Sequence, residues 1–493
     1  MITRIKKHYI SLVGLILFWL FVILSETPFH SVGEHSIGTF ISNIILLLII
    51  GSSFFVVLLC DGSLSKNYLC IALLLGIYFV FLRPFSSSID ESYHFMRSFE
   101  LSTGKLFPNS LGICVPEGYQ QYAKEEFWNA ANVLDEPLWL EPVTAYEFFP
   151  RVRSASYLFF QYIPGAIGIG IARLLRLPLI GIVLMGRLFF YLYYVVVCFL
   201  AMKKTDTLKS LVFLVSLSGG IALMYGLIQP DLVLVSTCLL FISICLHYCF
   251  DDVKGNRISN IDLLLLGASS LVLSSIKYCG YAPIILLCLF IPKHKYENRK
   301  SAISIVLFCF SAVLVLQVFA LIRYRGSLGE LPQGVSMTEQ IKYMARHPVN
   351  AMRVIGGDMV GTSFERILRQ RETSRTAIDA IANGYALFPV IGAILAKDRP
   401  ELASIQNPNR FLMVSLILAC FMQLTICISL YVDWTVVGSN HISGVHPRYT
   451  LPFLILCLIP FSFLRIKNSV GKWEEFLSIC SVICLLNTLV SLF

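Results

Sequence analysis

Charge is scarce in this sequence. Asp, Glu, Lys and Arg together supply 14% of its 493 residues against 56% apolar, and the mean hydropathy is +0.74. That balance excludes an ordinary soluble globular protein. A cysteine framework is also lacking. Of fifteen cysteines only Cys114 stands in a clearly polar segment, while Cys198, Cys238, Cys309 and Cys480 lie in hydrophobic runs as small apolar residues, so neither a disulfide scaffold nor a zinc site is implied. No small-residue cleavage site follows the first run, Tyr9 to Leu24, which comes after Arg4, Lys6 and Lys7. It reads as a retained span with a cytoplasmic N-terminus. No internal repeat is evident, which removes a common mark of secondary transporters. The net charge of +9 lies largely in short loops between apolar runs, where basic residues set topology, and gives no basis for nucleic-acid binding.

What is there is a series of long apolar runs. Segments 8–25, 38–60, 67–83, 180–202, 210–227, 230–249, 261–275, 278–292, 300–323, 378–396, 409–431, 449–465 and 475–492 predict about thirteen crossings of an all-α polytopic membrane protein. Segment 154–174 carries Pro164 and repeated glycines. If it does not complete a crossing, Lys66, Lys203 with Lys204, Lys254 with Arg257, the cluster at 293–300, Lys397 with Arg399, and Arg465 with Lys467 all fall inside; if it crosses, every later basic loop flips outside. The expectation is therefore that 154–174 dips in or lies against the bundle. The chain then divides into a three-span segment 1–83, an outer loop 84–153 with amphipathic helices, a core bundle 154–323, an outer basic segment 324–377 and a C-terminal bundle 378–493.

This topology sends five distant segments to the outer face. On a helix starting near Asp90, the positions Asp90, His94 and Arg97 share one stripe, with Glu91, Phe95 and Phe99 beside it. Two readings are open: a functional pair of carboxylates, or an interfacial helix whose Asp90 and Glu91 serve its own N-terminus after the cap candidates Ser86 to Ser88. The rest of the loop mixes carboxylates and aromatics, among them Glu125, Trp128, Asp135, Trp139, Tyr146 and Phe148. Such a mixture suits sugars and also suits a membrane interface. Asp231 and Lys277 sit at the ends of apolar hairpins, where an ionisable side chain is expensive enough to raise a functional hypothesis. Arg187 lies deeper in its span and calls for a buried partner, as in a structural ion pair. Arg325, Lys342, Arg346, Arg353, Arg366, Arg369, Arg371 and Arg375 give segment 324–377 an excess of positive charge, fit for a lipid phosphate ligand or for headgroup attraction. His446 and Arg448 stand where an outer loop re-enters the membrane, and an Arg there can hold a phosphate bidentately or anchor at the interface.

The stretches DESYHFMRSFELSTGKLF at Asp90–Phe107, SYLFFQYIPGAIGIGIARLL at Ser156–Leu175, GRL at Gly186–Leu188, the acidic hairpin at Asp231, IKYCGYAPIILL at Ile276–Leu287 and GVHPRYTLPFLIL at Gly444–Leu456 together resemble a known family. It is the bacterial membrane proteins grouped as domain of unknown function 2142, themselves similar to the GT-C superfamily of lipid-sugar glycosyltransferases. The resemblance runs from about Pro84 to Pro460. It departs from the family at Ser88 and Ile89, where a Pro is usual before the acidic pair, at Gly-Leu-Ile-Gln-Pro before Asp231, at His446 and Pro447, where Gln-Gly is frequent, and in two extra spans ahead of the acidic loop.

The resemblance implies a polyprenyl-phosphate-linked sugar as donor, a cell-envelope glycan or lipid as acceptor, membrane lipid surroundings in the bacterial cytoplasmic membrane, and an active site at the outer face. It implies catalysis by Asp90 as base, with Glu91 orienting the acceptor or holding a divalent metal if one is used. Lys277 and Arg448 would clamp the phosphate, and His94, Arg97, Asp231, Tyr278 and His446 would bind sugar or acceptor. Rival expectations are a lipid-linked glycan flippase or other transporter, a polysaccharide polymerase or ligase, and a noncatalytic assembly partner.

Overall fold

The computed structural model describes residues 2–24, 37–83, 90–107, 112–119, 142–150, 157–250, 257–277, 280–324, 333–362, 387–398, 408–464 and 466–490. These are mostly helical. Among the described residues six helices are long and apolar enough to cross a membrane: Leu64–Leu82, Leu179–Lys204, Pro230–Phe250, Ala302–Phe319, Phe411–Asp433 and Trp473–Val490. Shorter apolar helices lie at Tyr9–Ile23, Asn43–Leu59, Asn260–Ser275 and Leu451–Leu464. Six elements place the site: α1 (Leu64–Leu82), α2 (Glu91–Ser102), α3 (Ile163–Leu174), α4 (Leu179–Lys204), α5 (Pro230–Phe250) and α6 (Asn260–Ser275).

Three of the thirteen expected spans are interrupted rather than continuous helices among the described residues. Segment 210–227 forms helix Lys209–Ser216, then the short helix Gly219–Ala222, interrupted where Ser218, Gly219 and Gly220 cluster. Segment 278–292 holds the 3-10 helix Ala282–Phe290, begun by Pro283. Segment 449–465 is a chain of short 3-10 and α pieces around Pro452 and Pro460. Proline removes a backbone donor and small residues weaken a helix, so apolar composition alone did not make these segments continuous.

The core sits around α5. It is apolar on every side, and 89% of its spanning window is buried, against 22% for Ala302–Phe319, whose apolar surface faces outward. Its main neighbours are α4 and α6, and α4 in turn carries α3. The glycines of α3 account for that close approach: a Cβ at Gly168 would lie 2.3 Å from the Met185 carbonyl oxygen, and one at Gly165 would lie 2.3 Å from the Phe190 ring and 3.1 Å from Ser98 Oγ. Pro164 stands in the first turn of α3, where its missing donor costs nothing. With 12 residues, α3 is about 18 Å long, short of the roughly 30 Å hydrocarbon core.

A π-helical stretch, Ala72–Gly76, interrupts α1 where Tyr191 of α4 inserts. The Tyr191 hydroxyl donates to the Ala72 carbonyl at 2.7 Å, and a Cβ at Gly76 would collide with that same hydroxyl. The opposite end of the bundle from the site is tied by Lys204, the last residue of α4, to Asp262 in the first turn of α6.

The helix that starts near Asp90, interfacial on one of the two readings of its sequence, is enclosed by protein. Along α2, Glu91, His94, Phe95, Met96, Arg97, Ser98, Phe99 and Glu100 are all buried. One side packs on α3, and the other is covered by an antiparallel ribbon of β1 (Gly112–Pro116) and β2 (Tyr146–Pro150). Tyr119, just after β1, stacks its ring on Phe95 at 4.8 Å and donates its hydroxyl to the Ser92 carbonyl.

Candidate active site

Asp90 occupies the residue before α2, and Asp231 the first turn of α5. Lys277 follows the C-terminal end of α6, and Arg448 lies in the 3-10 turn Pro447–Tyr449. The α5–α6 hairpin runs antiparallel, so Asp231 and Lys277 come to the same end of the bundle. There the four side chains form one cluster. Lys277 Nζ lies 2.6 Å from Asp231 Oδ1, Arg448 Nε lies 3.7 Å from Asp231 Oδ2, and the Arg448 guanidinium donates to Asp90. Gln229 Nε2 donates to Asp231 Oδ2 at 3.2 Å.

Aromatic rings floor the cluster. Lys277 Nζ stands 3.9 Å from the centre of the Tyr449 ring and Arg448 Cζ stands 5.4 Å from it, both within cation–π range. The Tyr281 hydroxyl donates to the Tyr449 carbonyl at 2.8 Å and fixes the turn that carries Arg448. His446 packs edge-on against Tyr449 with ring centres 5.7 Å apart. His94 Nδ1 lies 3.0 Å from the Tyr162 hydroxyl. Lys277 has φ +47, in the left-handed region that non-glycine residues seldom occupy, so its ammonium is delivered from a strained backbone position.

Glu91, expected to share catalysis with its neighbour, is committed elsewhere. It is 2% exposed, and Arg187 Nε and Nη2 donate to its two oxygens at 2.8 Å each. Its Oε1 also accepts from the Ile228 backbone amide at 3.2 Å, while Arg187 Nη1 donates to the Arg83 carbonyl at 2.7 Å. This buried knot joins the end of α1, the start of α2, α4 and the strand of chain leading to Asp231. The buried partner expected for Arg187 is therefore Glu91, and both side chains are sealed from solvent. Nearby, Gly226 has φ +70, and a Cβ there would lie 2.0 Å from the Phe79 carbonyl, so the chain before Asp231 rests directly on the α1 backbone.

Arg97 shares the stripe but not the site. Seven residues place it about 10 Å further along the axis, and its guanidinium donates to Glu100 and to the Lys105 and Leu106 carbonyls. Tyr278 lies outside the described residues, as do Glu125, Trp128, Asp135, Trp139, Arg325, Arg366, Arg369, Arg371 and Arg375. The sequence places Gln229 in the outer turn before Asp231 but assigns no role to it or to Tyr162, Tyr281 and Tyr449. Tyr449 stands next to Arg448, and Gln229 precedes the Pro230–Asp231 helix start, so adjacency is the signal that could have found them.

Burial acts to raise the Asp90 carboxyl, but Arg448, with help from His94 and Lys277, holds it below the ordinary carboxylate value. Burial pulls His94 down to about 4, so its imidazole is neutral at physiological pH. The cluster thus pairs two fixed cations with two carboxylates around a neutral hydrogen-bonding ring. Among the described residues no three His, Cys, Asp or Glu side chains group to hold a metal ion, and the oxygens of Asp90 and Asp231 already face Arg448 and Lys277. That donor set does not fit a resident divalent ion.

A family model described as "Predicted membrane protein (DUF2142)" matches residues 73–457, a stretch that includes every member of the cluster. No curated protein matches the chain, and no solved structure does.

Proposed function

We propose, from the premise that this chain belongs to the DUF2142 family of predicted membrane proteins, that it is a glycosyltransferase acting on a lipid-phosphate-linked sugar. The observation that carries the reading is the convergence of Asp90, Lys277 and Arg448 at one end of the bundle, from segments 187 and 171 residues apart in sequence (277 − 90 and 448 − 277). A carboxylate that can take a proton and two cations that can stabilise a departing phosphate are the groups such a transfer calls for.

The division of labour follows from charge. The acceptor hydroxyl must lose a proton as its oxygen attacks the anomeric carbon, and Asp90 takes it. The departing phosphate gains negative charge, which Arg448 and Lys277 stabilise. A single displacement of this kind inverts the anomeric centre. His94 and Tyr162 offer hydrogen bonds to sugar hydroxyls, and Asp231 holds Lys277 in place. Glu91 and Arg187 are positioning residues, which fix the approach of Asp90 and Asp231.

Topology supports a site on the outer face of a bacterial cytoplasmic membrane. Lys203 and Lys204 end α4 at the opposite end of the bundle, and the positive-inside rule puts that end in the cytoplasm. A GT-C-like architecture with about thirteen crossings and a cell-envelope glycan or lipid acceptor belong to the same proposal. Transporters concentrate ionisable groups near the bilayer midplane, whereas this cluster lies at helix ends. The test is to reconstitute the protein with radiolabelled polyprenyl-phosphate sugars and an envelope-lipid extract. Sugar appearing in a new product with inverted configuration supports the proposal. Labelled donor crossing the bilayer unchanged favours a flippase and contradicts it.

A further inference from the structure

The two carboxylates of the cluster are not equivalent. The Asp231 side chain is 4% exposed and lies in the first turn of α5, where the helix dipole favours its charge. Lys277 and Gln229 both donate to it. The Asp90 side chain is 36% exposed and takes its ion-pair contact from Arg448. Arg448 and Lys277 are 18% and 26% exposed. An anion arriving at the open edge therefore meets two cations and one removable carboxylate, with Asp231 fixed behind them.

We infer that Asp90 is a displaceable counter-ion, so that a lipid phosphodiester enters the site by replacing the Asp90 carboxylate on the Arg448 guanidinium and must bind before the base is free. This rests on the lipid-phosphate reading above and adds an order of events to it.

The exchange keeps Arg448 paired, which matters in a site walled by apolar helices where an unpaired cation is costly, and it turns the freed Asp90, 36% exposed, toward the open edge. A phosphodiester and a carboxylate each carry one negative charge, so the swap leaves Arg448 neutralised. In the transfer step the acceptor oxygen bonds to the anomeric carbon. The bond from that carbon to the phosphate oxygen breaks, its electron pair stays on the phosphate, and the acceptor proton goes to Asp90. The phosphate gains one negative charge as Asp90 loses one, and the sum is unchanged. The groups facing Asp90 are Arg448, His94 and Lys277, and losing Arg448 to the donor raises its basicity just when a proton must be accepted. Without donor, Asp90 stays paired and activates no acceptor.

The experiment measures binding by the purified full-length protein in lipid nanodiscs. The probe is farnesyl methyl phosphate, which carries one negative charge across the working pH range, and farnesol is its neutral control. Asp90→Asn removes the competing anion and should tighten phosphodiester binding about ten-fold or more, with farnesol unaffected. Asp90→Ser should do the same, which covers a fault peculiar to one variant. Wild type that prefers the phosphodiester over farnesol, with both variants binding it no better, overturns the exchange and leaves the lipid-phosphate reading standing. No preference for the phosphodiester in any of the three proteins overturns that reading, and the exchange with it.

Discussion

Arg187 holds Glu91 by two parallel N–H to oxygen contacts of 2.8 Å, with both side chains sealed inside the bundle. Breaking a buried pair by removing one partner leaves an uncompensated charge and costs about 3–5 kcal/mol. Glu91→Ala should therefore lower the thermal unfolding midpoint in detergent sharply, and Glu91→Met combined with Arg187→Leu should recover much of the loss. An unchanged midpoint in Glu91→Ala together with lost transfer would return Glu91 to the reacting groups.

Helix α3 rests on α4 at a spot that admits no side chain. A methyl at Gly168 would lie 2.3 Å from the Met185 carbonyl oxygen, and backbone cannot step aside as a side chain can. Gly168→Ala should cost about 1–3 kcal/mol of stability, read as a lowered unfolding midpoint. Gly170→Ala, with open space around its Cβ, should leave the midpoint near wild type. Equal effects from the two would deny the close packing.

The backbone at Lys277 provides a separate check. At φ +47 any residue with a Cβ is strained, while glycine is not. Both Lys277→Gly and Lys277→Ala lose the ammonium, so their difference isolates the backbone. The glycine variant should be the more stable by about 1 kcal/mol. Indistinguishable midpoints would place Lys277 in an ordinary conformation.

Acidification should expose His94. Its folded pKa is about 4 against 6.5 for the free side chain, so as pH falls the unfolded chain takes up the proton first. The stability it contributes is whole above about pH 6.5, is lost progressively as pH falls through about 4, and is gone below, a change of order 3 kcal/mol. The Asp90 carboxyl also lies below its usual value of 3.8, so its contribution is lost only at more acid pH. Unfolding midpoints followed from pH 7.5 to 4.5 should slope for wild type and flatten for His94→Gln.

The membrane class, the long helices and the residues of the cluster were legible in the sequence because each has a local signal. Leu179–Lys204 and Pro230–Phe250 are long apolar runs, and Asp231, Lys277 and Arg448 are charges where charge is expensive. The partnerships were not legible. Adjacent in sequence, Asp90 and Glu91 look alike, yet successive residues on a helix point about 100° apart, which sends one to Arg448 and the other to Arg187. The breaks at Leu217 and before Pro283 were hidden by apolar composition, and the burial of α2 depends on β1, β2 and Tyr119, which lie beyond any local window.

The central claim is that Asp90 takes the acceptor proton in a transfer from a lipid phosphate. The most direct measurement is sugar transfer by purified protein in lipid from a panel of polyprenyl-phosphate sugars, wild type beside Asp90→Asn. The account predicts transfer from at least one donor by wild type, and a loss of about 100-fold or more in Asp90→Asn with donor still bound. Full transfer by Asp90→Asn would contradict it.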